Sequence, residues 1–135
     1  MPDIYAARTT STPSVALSLD TNRFELLGEC YPENSLPFFA PIVSALKAHF
    51  AQASPARFEA HFHLQYVNSA STKGLQYIIS VLNDAGAAGT AIEVFWAYDP
   101  EDDALEDLGA ELMEDFTHVV MHRRHVSAGS EDTRG

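Results

Sequence analysis

Apolar and polar residues alternate along Arg57–Val67, which predicts a half-buried β-strand. The alternation stops at Asn68, where a run of small hydroxyl residues begins. Apolar residues then recur at helical spacing and continue to the neighbourhood of Gly86 and Gly89: Leu75, Ile78, Ile79 and Leu82. The pattern therefore predicts a strand that delivers several hydroxyl side chains to the start of a helix.

The first half of the chain predicts a hairpin followed by a helix. Two short alternating runs, Ser14–Leu19 and Arg23–Leu27, are separated by turn-forming residues. The punctuating sequence Tyr31–Asn34 follows, and Asn34 or Ser35 can cap a helix. Apolar residues recur every four positions in this predicted helix, although a proline also interrupts it: Ile42, Leu46 and Phe50, with Pro41 among them.

The second half alternates between strands and helices. Thr90–Tyr98 predicts a strand, residues from about Asp103 to Phe116 predict a helix, and Thr117–Met121 predicts a short strand before a basic tail. This order favours a parallel β-α-β crossover that follows the antiparallel hairpin. The predicted fold class is α/β (α+β), with a small mixed sheet and about three helices.

The length and composition predict one domain. The chain has 135 residues, of which 46% are hydrophobic, enough for a single core. We assign this domain to residues 14–126 and expect the polar ends, 1–13 and 127–135, to be flexible. Neither a signal peptide nor an apolar run of membrane-spanning length is evident, so we expect a soluble cytoplasmic protein without membrane association.

The charge of the chain argues against a nucleic-acid partner. The formal net charge is −11, whereas nucleic-acid binding depends on basic residues that neutralise phosphates. The segment from Asp99 to Asp115 is rich in Asp and Glu and contains no Lys or Arg. It fits either a solvated helix face or a docking surface for a basic partner.

Two sets of residues raise the possibility of an enzyme. Glu59, His61 and His63 share one face of the predicted strand, a spacing compatible with a metal enzyme or a small hydrolase. A solvated strand face needs polar residues in any case, so we predict no metal there.

A second histidine cluster falls in the predicted final strand and tail: His118, His122 and His125. The single cysteine, Cys30, cannot form an internal disulfide and leaves only a lone nucleophile.

Motifs for catalysis and cofactor binding are missing from the hydroxyl-rich segment. A Ser-x-x-Lys pair ending at Lys73 would need a serine where Ala70 stands, and no G-x-S-x-G, phosphate-binding loop or dinucleotide fingerprint occurs. We therefore predict neither a catalytic residue nor a cofactor. Ordinary helix capping explains one polar residue, but the segment offers more, and a phosphate on such a hydroxyl would be favoured by the helix N-terminus.

Three segments resemble the SiaC family of bacterial regulatory phosphoproteins: Gly28–Asn34, which contains Y-P-E-N, Tyr66–Lys73, which contains N-S-A-S-T-K, and Trp96–Asp99 with its acidic sequel. The similarity extends from about Arg23 to Phe116. It implies a fold of the anti-anti-sigma type and a signalling adaptor that is not an enzyme. The chain departs from the family pattern at Ser69, Ala70 and Cys30, where a Thr, a Ser and a small hydroxyl residue are usual.

The resemblance also implies partners and a modification site. The expected partners are a dedicated protein kinase, a PP2C-like phosphatase and a diguanylate cyclase stimulated by the unmodified form, hence regulation of cyclic di-GMP and biofilm. The hydroxyl that follows the asparagine is Ser69, with Ser71 and Thr72 as alternatives. The predicted partner-binding residues are Asn68, Ser69, Ser71, Thr72, Lys73, Tyr31, Glu33 and Asn34. A ligand-sensing module is a further alternative to the switch.

Overall fold

The computed structural model describes residues 4–126 and contains six strands and three helices. The predicted flexible segment 127–135 and residues 1–3 lie outside the described residues. The strands are β1 (Ile4–Ala6), β2 (Ser14–Ser18), β3 (Arg23–Cys30), β4 (Arg57–Val67), β5 (Ala91–Tyr98) and β6 (Val120–His125). The helices are α1 (Ser35–Gln52), α2 (Ser69–Ala87) and α3 (Asp103–Glu114).

The six strands form one mixed sheet in sequence order, β1-β2-β3-β4-β5-β6. The pairs β1–β2 and β2–β3 are antiparallel, and the remaining pairs are parallel. Each parallel connection contains one helix, because a chain must cross over to re-enter a sheet in the same direction. The predicted α/β class, the hairpin and the crossover from β4 to β5 are confirmed.

All three helices cover the same face of the sheet. Alternate residues of β3, β4 and β5 are buried, while the residues between them are only partly buried. The buried side chains meet the apolar stripes of the helices in one core, which includes Phe24, Phe62, Trp96, Leu46 and Ile79. Burial of this apolar area is the main term that stabilises the fold. The opposite face, here called the open face, carries polar and aromatic side chains.

Helix α1 continues through Pro41. Proline removes one backbone hydrogen bond and would normally break a helix. Ile42 and Leu46 are nonetheless buried in the core, so tertiary packing outweighs the local preference. The predicted register of this helix is correct, and its N-cap is Asn34.

The structure differs from the sequence prediction at both ends of the sheet. Segment 1–13 was predicted to be flexible, but Ile4–Ala6 pairs with β2, and the Tyr31 N–H donates to the Ser11 carbonyl at 2.8 Å. A strand of three residues is too short to show an alternating pattern. The last strand begins later and extends further than predicted, through His125, because the supposed basic tail pairs with β5.

Candidate functional site

Two strand-to-helix junctions meet at the carboxyl end of the parallel strands. Tyr31–Asn34 connects β3 to α1, and Asn68 connects β4 to α2. The Asn68 N–H donates a hydrogen bond to the Cys30 carbonyl at 3.1 Å. The two motifs that are far apart in sequence, Y-P-E-N and N-S-A-S-T-K, are therefore neighbours in the fold.

Asn68 caps helix α2 with its side chain. Its Oδ1 accepts from the Ser71 N–H at 3.0 Å, and its carbonyl accepts from the Thr72 N–H at 3.2 Å. The cap is thus supplied by the asparagine, as N-capping preferences favour. Since Asn68 takes this role, the Ser69 hydroxyl is not required to cap the helix.

The three candidate hydroxyls differ in their accessibility. Ser69 is exposed at the first position of α2. Ser71 is 0% exposed, and its hydroxyl lies beside the buried Cys30 thiol. Thr72 is half-buried and donates its hydroxyl to the Asn68 carbonyl at 3.3 Å. In this conformation a macromolecule can reach Ser69 but not Ser71, because Ser71 lies on the core side of the first turn.

Cys30 lies under the same helical turn. Burial raises the pKa of the Cys30 thiol from 9.0 to about 11, and the neighbouring Ser71 hydroxyl opposes part of the rise. A buried thiol in its protonated form is a poor nucleophile. The structure therefore gives no support to catalysis by Cys30.

The remaining predicted partner-binding residues lie on the same helix as Ser69 or at the neighbouring junction. Lys73 is exposed one helical turn after Ser69, and Glu33 and Asn34 are exposed at the neighbouring junction. Tyr31 makes an edge-to-face contact with Tyr66, with ring centroids 5.5 Å apart. The two junctions and the first turn of α2 thus expose a hydroxyl, an ammonium group, a carboxylate and aromatic rings.

Tyr66 is a site residue that sequence alternation assigned to the wrong environment. The alternation placed it with the buried residues of β4, but it is 52% exposed. The cause is a register shift between β3 and β4 at Gly28 and Glu29, which displaces the last residues of β4. Its position two residues before the N-S-A-S-T-K segment was the available signal.

The candidate enzyme residues Glu59, His61 and His63 lie on the open face. Glu59 and His61 interact there with other side chains of the protein. His61 Nε2 lies 3.0 Å from Glu59 Oε1, and the His61 ring stacks on Phe95 at a centroid distance of 4.5 Å. The hydrogen bond with His61 lowers the pKa of Glu59, and Arg57 and Arg23 add to this effect while burial opposes it. Glu59 is therefore a partner for cations of the protein itself.

His63 lies in a different environment from the Glu59–His61 pair. Burial lowers the pKa of His63, and the nearby charge of Arg8 lowers it further. A guanidinium group beside an imidazole also disfavours a bound cation. Within the described range, no three His, Cys, Asp or Glu residues are arranged to hold a metal ion.

The second histidine cluster is dispersed. His122 stacks on Phe95 with centroids 4.9 Å apart, whereas His125 Nε2 lies 2.9 Å from the Tyr98 hydroxyl. His118 is exposed and its backbone N–H donates to Asn83 Oδ1 at 2.8 Å. These residues therefore do not converge on one point.

The acidic segment stabilises its own helix. Asp102 caps α3 by accepting from the Leu105 N–H at 3.1 Å, and Asp103 and Glu106 lie in the first turn. Carboxylates at this position interact favourably with the helix dipole. This arrangement accounts for part of the acidic cluster without a partner.

Among residues 4–126, we find no helix with the length and apolar character needed to cross a membrane.

Comparisons with known proteins point to one family. The family model for the SiaC family regulatory phosphoprotein matches residues 6–126. An uncharacterized protein of Pseudomonas aeruginosa (strain UCBPP-PA14) is 28% identical over 125 residues, covering 93% of this chain and 98% of that protein.

Solved structures agree with the sequence match. The crystal structure of apo-SiaC from Pseudomonas aeruginosa has a TM-score of 0.85 at 27% identity, and the similarity covers 92% of this chain and 99% of that one. A chain in the crystal structure of the diguanylate cyclase SiaD in complex with its activator SiaC, from the same organism, has a TM-score of 0.83 at 26% identity. That match covers 91% of this chain and 100% of the other. The similarity therefore extends over nearly the whole fold.

Proposed function

The chain belongs to the SiaC family of regulatory phosphoproteins, and from this premise we propose that it is a non-enzymatic adaptor switched by phosphorylation of Ser69. In its unmodified form the adaptor binds and activates an output partner, a diguanylate cyclase. The observation that carries the proposal is that Ser69 is exposed at the start of α2 while Asn68 supplies the cap.

Accessibility supports Ser69 as the acceptor. A kinase must bring the hydroxyl oxygen into its own active site, which requires an exposed side chain. Ser69 meets this requirement, whereas Ser71 is fully buried and Thr72 is half-buried and bonded to the Asn68 carbonyl. Ser69 is also the hydroxyl that follows the asparagine, the position implied by the family resemblance.

A phosphate on Ser69 would change docking at the point of contact. The unmodified segment from Asn68 to Leu75 is small and carries only the charge of Lys73. Phosphorylation adds about two negative charges at neutral pH. Burying this dianion under a partner without new cationic contacts costs several kcal/mol, enough for a hundredfold or larger loss of affinity.

The phosphorylated state has local stabilisation of its own. Backbone N–H groups at the start of a helix are not used within the helix, and α2 has no acidic residue in its first turn. Lys73, one turn later, is within reach of a phosphate on Ser69. These contacts favour the modified form of the free protein, whereas a docked partner favours the unmodified form.

The diguanylate cyclase is proposed from a relative. SiaC of Pseudomonas aeruginosa is the activator in a crystallised complex with the diguanylate cyclase SiaD. A protein kinase that uses ATP and a PP2C-like phosphatase complete the proposed cycle. We place this cycle in the cytoplasm and connect it to cyclic di-GMP signalling and biofilm regulation.

Phosphorylation can be tested with the purified protein, ATP and the proposed partner kinase. Intact-mass spectrometry should show one added phosphate, and peptide mapping should locate it on Ser69. Ser69→Ala should abolish the addition, whereas Thr72→Ala, the matched control, should retain it. A phosphate that maps elsewhere, or that persists in Ser69→Ala, would contradict the assignment.

A further inference from the structure

A cavity of about 450 Å³ lies between the segment that follows β1 and the carboxyl end of β3. Its lining residues are Arg8, Thr9, Thr10, Glu29 and Tyr31. Small-molecule sites in proteins commonly have volumes of about 300–1,000 Å³. The cavity is open to solvent, so a small molecule can enter it without a rearrangement of the fold.

The wall that follows β1 is held by hydrogen bonds. Thr9 Oγ1 accepts from the N–H groups of Ser11 and Thr12 at 3.2 and 2.9 Å, and the Thr9 N–H donates to the Thr12 carbonyl at 2.9 Å. The Ser11 carbonyl accepts from the Tyr31 N–H at 2.8 Å, which joins this loop to the end of β3. The cavity is therefore formed before any ligand binds, which lowers the ordering cost of binding.

The Arg8 guanidinium is positioned by its contacts with the sheet. It lies over Gly28, where a Cβ would come within 3.1 Å of the guanidinium carbon, and Gly28 has a φ of +124°. Its Nη2 donates to Gln65 Oε1 at 3.1 Å. A guanidinium has five N–H donors, and Arg8 is exposed, so donors remain available to a ligand.

Glu29 supplies the opposite charge in the same cavity. Among residues 4–126, its carboxylate makes neither a hydrogen bond nor an ion pair, and in particular it is not paired with Arg8. A cation and an anion therefore line one cavity without direct contact between them. A ligand that carries both charges can pair with each of them.

Ligands with a single charge are less well matched to this lining. The Glu29 carboxylate repels a simple anion, and the Arg8 guanidinium repels a simple cation. Burial lowers the pKa of His63 and the charge of Arg8 lowers it further, so the guanidinium already disfavours a second positive charge beside it. A zwitterion avoids both repulsions.

We infer that this cavity binds a free amino acid, with the ligand carboxylate on Arg8 and the ligand ammonium on Glu29. A guanidinium can hold a carboxylate with two parallel hydrogen bonds, and charge-assisted bonds of this kind are the stronger class. The hydroxyls of Thr9 and Thr10 and the ring of Tyr31 line the space left for the ligand side chain. The inference concerns a small ligand and holds whether or not Ser69 is phosphorylated.

Titration of the unmodified full chain with the common free L-amino acids, one at a time, tests the site. At least one of them should bind saturably in calorimetry and raise the melting temperature. Two derivatives of that amino acid are matched controls: its amide lacks the carboxylate, and its N-acetyl form lacks the ammonium group. Each should bind at least about tenfold more weakly, because one charge-assisted contact is lost.

Variants locate the site on the protein. Arg8→Gln and Glu29→Gln should each weaken binding of the same amino acid at least about tenfold. Arg123→Gln on β6 and Glu111→Gln on α3 remove the same charges at exposed positions on other elements, and they should bind normally. Circular dichroism and thermal melting without ligand establish that each variant is folded.

Three results would overturn the inference. They are the absence of binding by every amino acid tested, equal binding of the amide and N-acetyl forms, and undiminished binding by Arg8→Gln and Glu29→Gln. None of these results changes the expected phosphorylation of Ser69, which is measured separately by mass spectrometry. Selective loss in the two cavity variants, with normal binding by the two control variants, supports the amino-acid site.

Discussion

The ring of Phe39 on α1 occupies the space that a side chain at Gly74 on α2 would fill. Glycine at this position therefore lets the two helices approach closely. The contact lies one turn into each helix from the junctions that contain Asn34 and Asn68. It fixes the spacing of the two helix N-termini and so helps to shape the surface around Ser69.

Gly74→Ala should destabilise the protein. A methyl group would overlap the Phe39 ring, and overpacking of this kind typically costs 1–3 kcal/mol, of which up to about 1 kcal/mol is offset by the better helix propensity of alanine. We expect a net loss of about 1 kcal/mol in urea unfolding. In Phe39→Ala the same substitution should be neutral or stabilising. Equal effects in both backgrounds would show that the two residues are not coupled.

Asn68→Ala should cost about 1 kcal/mol of unfolding free energy, because it removes the side-chain acceptor for the Ser71 N–H. Asn34→Ala is a matched control at the corresponding position of α1. Asn34 makes no side-chain capping bond, so its replacement should cost no more than about half as much. Chemical unfolding of both variants provides the comparison, and losses of equal size would contradict this difference between the caps.

Cys30 should make stability depend on pH above neutrality. Burial raises the pKa of the thiol in the folded protein from 9.0 to about 11. The protonated thiol's contribution to the free energy of unfolding is therefore fully present below pH 9 and is lost as the pH rises through the pKa of the folded protein. The full loss corresponds to roughly 2–3 kcal/mol. Cys30→Ala lacks this thiol, so the unmodified protein should lose stability more steeply than the variant as the pH rises. Parallel curves would refute a buried, protonated thiol.

Phe95→Ala should destabilise the protein without impairing the switch. Phe95 is stacked between His61 and His122 on the open face, and Arg124 lies 5.1 Å from its ring centroid. Loss of the ring should cost about 1–3 kcal/mol, less than at a fully buried position. Phosphorylation of Ser69 and cyclase binding should be retained at a temperature where the variant is folded. Loss of either in the folded variant would mean that the open face belongs to the functional surface.

Periodicity predicted the elements that are long and bury a regular stripe. The alternation in β4 and the helical spacing of apolar residues in α2 reflect burial against one core, which a single sequence records directly. The strand Ile4–Ala6 was missed because pairing with β2, rather than its own pattern, holds it. The extension of β6 was missed because exposed Arg and His residues on an outer strand resemble a basic tail.

The candidate site was predicted less completely than the fold. The position of Ser69 directly after Asn68 at the start of a helix was visible in the sequence, which left both Asn and Ser possible as the cap. The burial of Ser71 was not, because it depends on how the first turn of α2 sits above Cys30. Leu36 and Tyr77 lie off the apolar stripes of their helices, so the apolar spacing gave no reason to single them out.

Affinity of the diguanylate cyclase for the protein with and without phosphate on Ser69 tests the central claim most directly. Protein carrying phosphoserine at position 69 and unmodified protein would be titrated against the cyclase under identical salt and pH. The account predicts that the phosphorylated form binds at least about a hundredfold more weakly. Equal affinity of the two forms would contradict it.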